Sequence, residues 1–539
     1  MLDRKKSMLE ILALTGLILF LAFLYIRPLN GYLTSFGDNA TYVLLAKSVA
    51  EGRGYRDIWT PGEPLHTQYP YVFALILSAV VLLAGLNFLW MKAVLVVFAL
   101  FSVCLIYLLY RKPEGAVWAL VLATLSGLCP VFFQFSHQIT AEMPYLALSL
   151  MALIFIERYA AEEKWLVPAG FAAGVFIGLA YLTRKIGVML PPAAFIYLLL
   201  RKGGPFKKRL LKSAIFALLV AAPFLLWRLR GYLATGEVTS ITGLTMVDAY
   251  TAHLGPASLG DILGRIKPNL AGYSADIAEQ VFFDVTWLGG SLLSWQKALV
   301  HYQRLLLPLF VGGGLIYALV KRRRCIDIYV LLYIGVLSIW FVRSGRFLVP
   351  LVPFIIYYFL LIIRAAFIQL GKLFRAFHAK PGMGAYILLV LFVLLRIFLV
   401  AWVFLMAKSS FAEVKYQFRI EVGRKTHFKA QSLAEQEFLQ AAEFIKNKVP
   451  EESIILSRKP VHLYLFSGRQ GVLFPYTSNK EEVLESIYGE TADYVLADGF
   501  NRETRAFLWP VVEEKPDCFT PVYQGSYSAL FKVIRAYDE

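Results

Sequence analysis

Apolar residues gather in long uninterrupted runs over most of the chain and give way to a mixed alternation after about residue 408. Runs long enough to cross the roughly 30 Å hydrocarbon core of a bilayer begin near residues 9, 93, 115, 143, 167, 186, 210, 304, 325, 347 and 385, which predicts about eleven transmembrane helices. A further run, Tyr71 to Leu86, is sixteen residues long and short for a crossing. Charge decides its reading. If it does not cross, Arg111-Lys112, Arg201-Lys202 with Lys207-Lys208-Arg209, Lys321 to Arg324, and Arg364 through Lys380 all share the cytoplasmic side with the N-terminus, as basic loops prefer. If it crosses, every one of them is inverted. The run is therefore expected to be an interfacial or re-entrant helix.

This topology places residues 27–92, 134–142, 230–303 and everything after Lys408 on the outer face of the membrane. Three of these segments are longer than a connector needs. The last one alternates: a helix over Leu433 to Lys448, a strand over Ser453 to Ser457, a helix over Glu481 to Tyr488, a strand over Asp493 to Ala497, and β-like runs near Val522 and Leu530. The expected fold class is mainly α: a polytopic membrane domain over 1–407 followed by a small α/β extracytoplasmic domain over 408–539.

Composition agrees, since 58% hydrophobic and 15% aromatic residues in a 539-residue chain are too apolar for a soluble globule. A net charge of +17 would suit a nucleic acid, but the basic residues sit in short clusters between apolar runs and read as topology signals. No nucleic-acid partner is expected. Cys104, Cys129 and Cys325 fall inside apolar segments and Cys518 stands alone, so no disulfide framework or metal-spaced pair is present. Leu9 to Ile26 follows Arg4-Lys5-Lys6 as a signal peptide would, yet it is long for one and no small-residue cleavage site follows; it reads as an uncleaved first span. There is no internal repeat, no low-complexity tract and no Gly-rich phosphate loop.

Candidate chemistry lies at the ends of the runs. Asp38, in Gly37-Asp38-Asn39-Ala40-Thr41-Tyr42, is the first carboxylate after the first span. Helical spacing over Asn39 to Glu51, with Gly52 as a stop, puts Asp38 at or beside an N-cap, and the spacing leaves cap and base equally open. As a base, the carboxylate would take a proton from an acceptor hydroxyl or amine. Tyr42, one turn on, shares its face, and His66-Thr67-Gln68-Tyr69-Pro70 follows in the same loop, with His66 and Tyr69 as candidate substrate contacts. In Ser136-His137-Gln138-Ile139-Thr140-Ala141-Glu142-Met143-Pro144, Glu142 opens a helix whose first turn tolerates Pro144. It can complement the helix dipole, or join Asp38 at one membrane surface to share a substrate or a divalent cation. His137 is a weaker candidate, since a lone interfacial histidine is usually just solvated. Arg343-Ser344-Gly345-Arg346 interrupts two apolar runs on the outer side, where forked guanidinium donors suit a lipid phosphate as well as ordinary headgroups. Arg184-Lys185 is a second outward basic pair with the same two readings.

Together these stretches resemble the GT-C type membrane glycosyltransferases, the group that includes protein O-mannosyltransferases and the lipid A aminoarabinose transferase, and the similarity is closest to their bacterial relatives. The resemblance covers Gly37 to Tyr42 with His66 to Pro70, Ser136 to Pro144, Gly178 to Arg184, and Arg343 to Pro353; each motif is short, and their order and sidedness carry the specificity. It implies Asp38 as the catalytic acid/base residue, Glu142 as the second acid, and Arg343 and Arg346 near a carrier phosphate. It also implies a sugar donor on a polyprenyl phosphate, used outside the cytoplasm and transferred with inversion to a lipid, glycan or protein. One departure stands out: several relatives carry an Asp-Glu pair in the first loop, and this chain has Asp38-Asn39, which leaves metal dependence open. The alternative from another class is a lipid or polysaccharide transporter or flippase. That reading predicts ionisable residues at mid-span and repeated halves, whereas this chain keeps its polar groups at helix ends.

Overall fold

The computed structural model describes residues 2–33, 37–201, 205–236, 242–248, 254–282, 294–378, 383–424, 432–499 and 501–535. Ser35 and Phe36 of the first-loop motif, Lys202 and Lys380 of the basic clusters, and parts of the 230–303 loop lie outside the described residues. Helices occupy all eleven apolar runs. Among the described residues, six stretches are long and apolar enough to cross a membrane: Ser7–Ile26, Phe88–Glu114, Glu142–Ala161, Phe206–Thr235, Tyr302–Lys321 and Gly345–Gln369. A seventh is counted if Ala116–Gly127 and Pro130–Ser136, bent by 62° at their junction, form one broken span. The bend has a local cause, because Cys129 precedes Pro130 and is held extended there (φ −70°, ψ 128°). Pro168–Tyr181, Lys185–Leu200 and Cys325–Ile339 are apolar but shorter, so among the described residues length and composition alone give six or seven spans and do not establish the expected eleven. The chain is a multi-pass membrane protein. The ambiguous run forms Val72–Ala84, whose thirteen residues end at Gly85 in a positive-φ conformation (φ 67°). At 1.5 Å per residue it reaches roughly 20 Å, too short to cross a bilayer core upright.

The chain divides into two compact units. The first comprises Met1–Leu29, Lys92–His137 and Ala141–Arg419, and the second comprises Asn30–Met91, Gln138–Thr140 and Ile420–Glu539. The boundary near residue 420 falls within the long helix Met383–Arg424, and the first loop groups with the C-terminal part. In the first unit, the buried faces of the long helices share one apolar core that includes Leu21, Phe132, Leu150, Ile177, Tyr329 and Phe354. Several basic residues read as topology signals are tied into ion pairs there: Arg322 and Arg364 both reach Glu114, and Arg324 reaches Glu157 with two bonds of 2.8 Å.

The second unit carries a five-stranded mixed sheet, with β1 (Ile455–Ser457), β2 (Gly471–Val472), β3 (Tyr494–Asp498), β4 (Phe519–Gln524) and β5 (Ser528–Val533) in the order β2-β1-β3-β5-β4. β2, β1 and β3 run parallel, while β5 is antiparallel to both β3 and β4. Successive side chains of a strand face opposite ways. Accordingly, Ile455, Leu496 and Leu530 pack with Phe438, Ala441 and Ile445 of helix Leu433–Lys448, while Leu456, Val495 and Ala497 pack with Val483, Ile487, Leu508 and Val511. The helix Pro460–Ser467, which follows β1, lays Val461, Tyr464 and Leu465 against Leu44, Leu45, Ile58, Trp59 and Ala74 of the first loop. Backbone bonds reinforce this, with Gly471 N donating to Trp59 O at 2.8 Å.

Candidate functional site

Asp38 stands at the N-cap position of the helix Asn39–Ala50, yet its backbone is helical (φ −70°, ψ −7°) and its side chain makes no capping bond. Of the two readings that the spacing left open, the capping bond is not made. Asn39, fully buried, accepts from Ala40 N at 2.9 Å and lies 3.4 Å from His462 Nε2 of helix Pro460–Ser467. Burial, and behind it the charge of Lys459, pushes the His462 imidazole down to about 3. The ring is thus neutral at working pH and serves as a donor to Asn39 Oδ1. Lys459, at the start of the same helix, is also depressed, first by burial and then by Arg458; Asp498, Glu503 and Asp38 pull the other way.

The remaining first-loop candidates are woven into the loop itself. Tyr42 is buried, its ring 5.0 Å from that of Tyr69 and 4.8 Å from that of Phe73. His66 is buried, with Nδ1 2.6 Å from Asp57 Oδ1, Nε2 accepting from Tyr69 N at 2.8 Å, and its ring stacked on Tyr69 at 5.5 Å. Both ring nitrogens therefore hold the loop in shape. Tyr69 is half-buried, and its carbonyl accepts from the Tyr55 hydroxyl at 3.0 Å.

In the first unit, Glu142 opens the helix Glu142–Ala161, fully buried, and Arg184 Nη1 donates to its Oε1. Arg184 thus meets the second acid, a pairing across 42 residues that charge patterning along the chain did not suggest. The Arg184 guanidinium also lies over the Phe347 ring at 5.8 Å. Glu142 Oε2 is buried and has no hydrogen-bond partner among the described residues. One turn along, the Tyr145 and Tyr329 hydroxyls are 2.7 Å apart, and Tyr333 OH donates to Phe347 O at 3.1 Å. His137 is not solvated: Nδ1 lies 3.0 Å from Ser136 Oγ and 2.9 Å from Phe133 O, and Nε2 lies 2.9 Å from Tyr25 O.

Arg343 and Arg346 take different partners. Arg343 Nη1 donates to Asp276 Oδ2 at 2.5 Å while its side chain stays 43% exposed, so donors remain for a second anion. Gly272 makes that approach feasible, because a Cβ there would collide with the Arg343 side chain. Arg346 sits over the Phe347 ring at 5.3 Å. Asp276 was invisible as a partner in the sequence, being 67 residues away within the long 230–303 loop. Among the described residues no three His, Cys, Asp or Glu side chains gather as a metal-ligand set.

Residues 68–227 match the family model described as dolichyl-phosphate-mannose-protein mannosyltransferase, a stretch that includes Tyr69, His137, Glu142 and Arg184 but not Asp38. No curated protein matches the sequence. Among solved structures, the ArnT protein of Cupriavidus metallidurans bound to undecaprenyl phosphate is similar at a TM-score of 0.54 and 13% identity, over 98% of this chain and 98% of that one. The Archaeoglobus fulgidus oligosaccharyltransferase, in its apo form, is similar at 0.56 and 14% identity, over 98% of this chain and 75% of that one. The same organism's AglB, in complex with an inhibitory peptide and a dolichol-phosphate, is similar at 0.56 and 13% identity, over 99% and 75%. The chain has the GT-C fold, as its motifs led one to expect.

Proposed function

We propose that the protein is a GT-C glycosyltransferase that moves a sugar from a polyprenyl-phosphate carrier to an acceptor on the outer face of the cell (inner) membrane. The observation that carries this reading is the full-length likeness to ArnT, in a chain whose residues 68–227 also match the mannosyltransferase model. The acceptor oxygen or nitrogen attacks the anomeric carbon as the bond from that carbon to the carrier phosphate breaks, inverting the configuration. Asp38 takes the acceptor's proton, and its half-exposed place at the start of the helix Asn39–Ala50 supports that role. Arginines offset the charge left on the departing phosphate: Arg343, with donors to spare beside Asp276, and Arg346, with Arg184 alongside. Glu142, balanced by Arg184 on one oxygen, keeps the other for a hydroxyl of the bound sugar. Tyr42, Tyr69 and His66 shape the loop that carries Asp38, and His137 braces the chain just before Glu142.

A transporter would have to move its cargo past ionisable groups at mid-span, and the fold likeness is to transferases instead. The deciding experiment measures transfer from a polyprenyl-phosphate sugar by wild type and Asp38→Asn at equal membrane insertion. Loss of transfer is expected; undiminished transfer would sink the assignment of Asp38.

A further inference from the structure

The long outer loop brings one helix, Ile266–Asp276, continued by a turn of π-helix over Ile277–Val281, to the arginine motif. Asn269, Gly272 and Asp276 are spaced by three and four, so they share one face of that helix. Asn269 is buried and donates through Nδ2 to Ser338 O at 3.0 Å and to Trp340 O at 2.8 Å, while Arg265, at the helix N-cap, donates through Nη1 to Ile339 O at 3.2 Å. These carbonyls lie at the C-terminus of the helix Cys325–Ile339, where the helix itself supplies no donors. Phe341-Val342 then lead to Arg343, whose Nη1 donates to Asp276 Oδ2 at 2.5 Å, and Gln280 Nε2 donates to the other oxygen, Asp276 Oδ1, at 3.1 Å. Gln280 in turn lies against Gly345, where a Cβ would strike its side-chain amide. Two residues further along, Phe347 O accepts from the Tyr333 hydroxyl.

We propose that Asn269 and Asp276 are positioning residues for the guanidinium of Arg343: Asn269 fixes where the motif leaves its helix, and Asp276 fixes which donors of the guanidinium remain for the carrier phosphate. The inference rests on the reading of Arg343 as a phosphate ligand and adds what aims it. A long side chain that is 43% exposed would otherwise sample many rotamers. The Asp276 carboxylate engages Nη1 and so holds the remaining N–H groups of a planar fork in one orientation. The rival reading makes Asp276 a competitor of the phosphate, since it occupies one donor. Packing favours placement over competition: both Asp276 oxygens are engaged, by Arg343 and by Gln280, and Gly272 and Gly345 stand where a Cβ would strike the Arg343 and Gln280 side chains.

The test measures binding without a sugar. Purified full-length protein in detergent is titrated with a radiolabelled polyprenyl phosphate and, separately, with the matching polyprenyl alcohol, which shares the chain but not the anion. Wild type should hold the phosphate more tightly than the alcohol. Asp276→Ala should weaken phosphate binding about tenfold, the scale of one charge-assisted bond, and leave alcohol binding unchanged. Asp276→Asn, whose amide oxygen still accepts from Arg343, should stay within about threefold of wild type. Asn269→Ala should lower phosphate binding in the same direction, again sparing the alcohol. In an Arg343→Ala background Asp276→Ala should cost nothing further, because it acts through that side chain. Phosphate binding that is undiminished or tighter in Asp276→Ala overturns the proposal, as does an equal loss with and without Arg343. If Asp276→Ala loses alcohol binding as well, Gly272→Ala decides. Alanine suits a helix interior better than glycine, and the nearest atoms its methyl would meet belong to the Arg343 side chain. Phosphate binding should therefore fall while the thermal midpoint holds, and undiminished binding there overturns the proposal equally. A wild type that binds phosphate and alcohol alike removes the phosphate role of Arg343 together with this inference, whereas a preference for phosphate that Asp276→Ala leaves intact removes this inference alone. The Asp38→Asn transfer assay judges sugar transfer separately.

Discussion

Asp38 and Glu142 are both acids at the start of a helix, one in each compact unit, and the protein treats them in opposite ways. Glu142 is buried and neutralised, with Arg184 bonded to one oxygen. Asp38 is half-exposed, and its side chain makes no capping bond to the helix it begins. A buried charge must be paired or it pulls the fold apart, whereas a base must be able to gain a proton in the course of reaction. If Asp38 is the base, substitution of the two acids should weigh differently on activity and stability.

The largest effect is expected in activity at Asp38. Asp38→Asn should lower sugar transfer by a factor on the order of 10²–10⁴, the usual contribution of a positioned base, with little change in thermal unfolding. A comparable loss of stability there would erase the contrast. Glu142→Leu should show the reverse emphasis in stability, because it leaves Arg184, 15% exposed, without its counter-charge. Breaking a buried pair costs about 3–5 kcal/mol, and the value here should fall toward the lower end because the arginine retains some solvent; unfolding midpoints of membrane-inserted protein would measure it. The double variant Glu142→Leu/Arg184→Met should recover much of that loss.

Next comes pH. His462 has its folded value depressed to about 3 from an ordinary 6.5, so between those limits the unfolded chain binds a proton that the native one does not. Stability of the second unit should therefore fall as pH drops through that window, by at most about 1.4 kcal/mol per unit. In His462→Gln the acid-side slope of the thermal midpoint should flatten; an unchanged slope would show that the ring is not held neutral. The smallest effect belongs to Lys480→Ala, which removes an exposed pair with Glu514 and should change stability by under about 1 kcal/mol. A larger cost would mean that exposure does not separate structural from incidental charges in this protein.

Much of this was legible along the chain. Apolar runs located the helices because a bilayer demands length and apolarity from contiguous residues. The C-terminal elements were legible for a similar reason: helix Leu433–Lys448 appears over the very residues its periodicity marks, and strand Tyr494–Asp498 within one residue of its expected position. The short helix Pro460–Ser467 escaped notice because eight mostly apolar residues have too little length to show a period. With it went Lys459 and His462. The bonds of the histidines were not legible either: His66 and His137 looked like substrate-facing or solvated rings, and the fold places their nitrogens against Asp57, Tyr69, Phe133 and Tyr25.

The sequence by itself determined that this chain lives in a membrane, where its helices lie, that a small α/β part follows them, and which acids and arginines stand at helix ends. These properties depend on near neighbours: hydrophobicity over a window, charge beside a run, a proline or glycine at a stop. Tertiary structure alone decided what each charge faces. Glu142 meets Arg184 across 42 residues, Arg343 meets Asp276 across 67, and His462 reaches Asn39 across 423. Such pairings arise from the packing of whole elements, where burial of apolar faces such as Val461, Tyr464 and Leu465 on Leu44 and Leu45 sets the geometry and the polar groups take the partners it brings within reach.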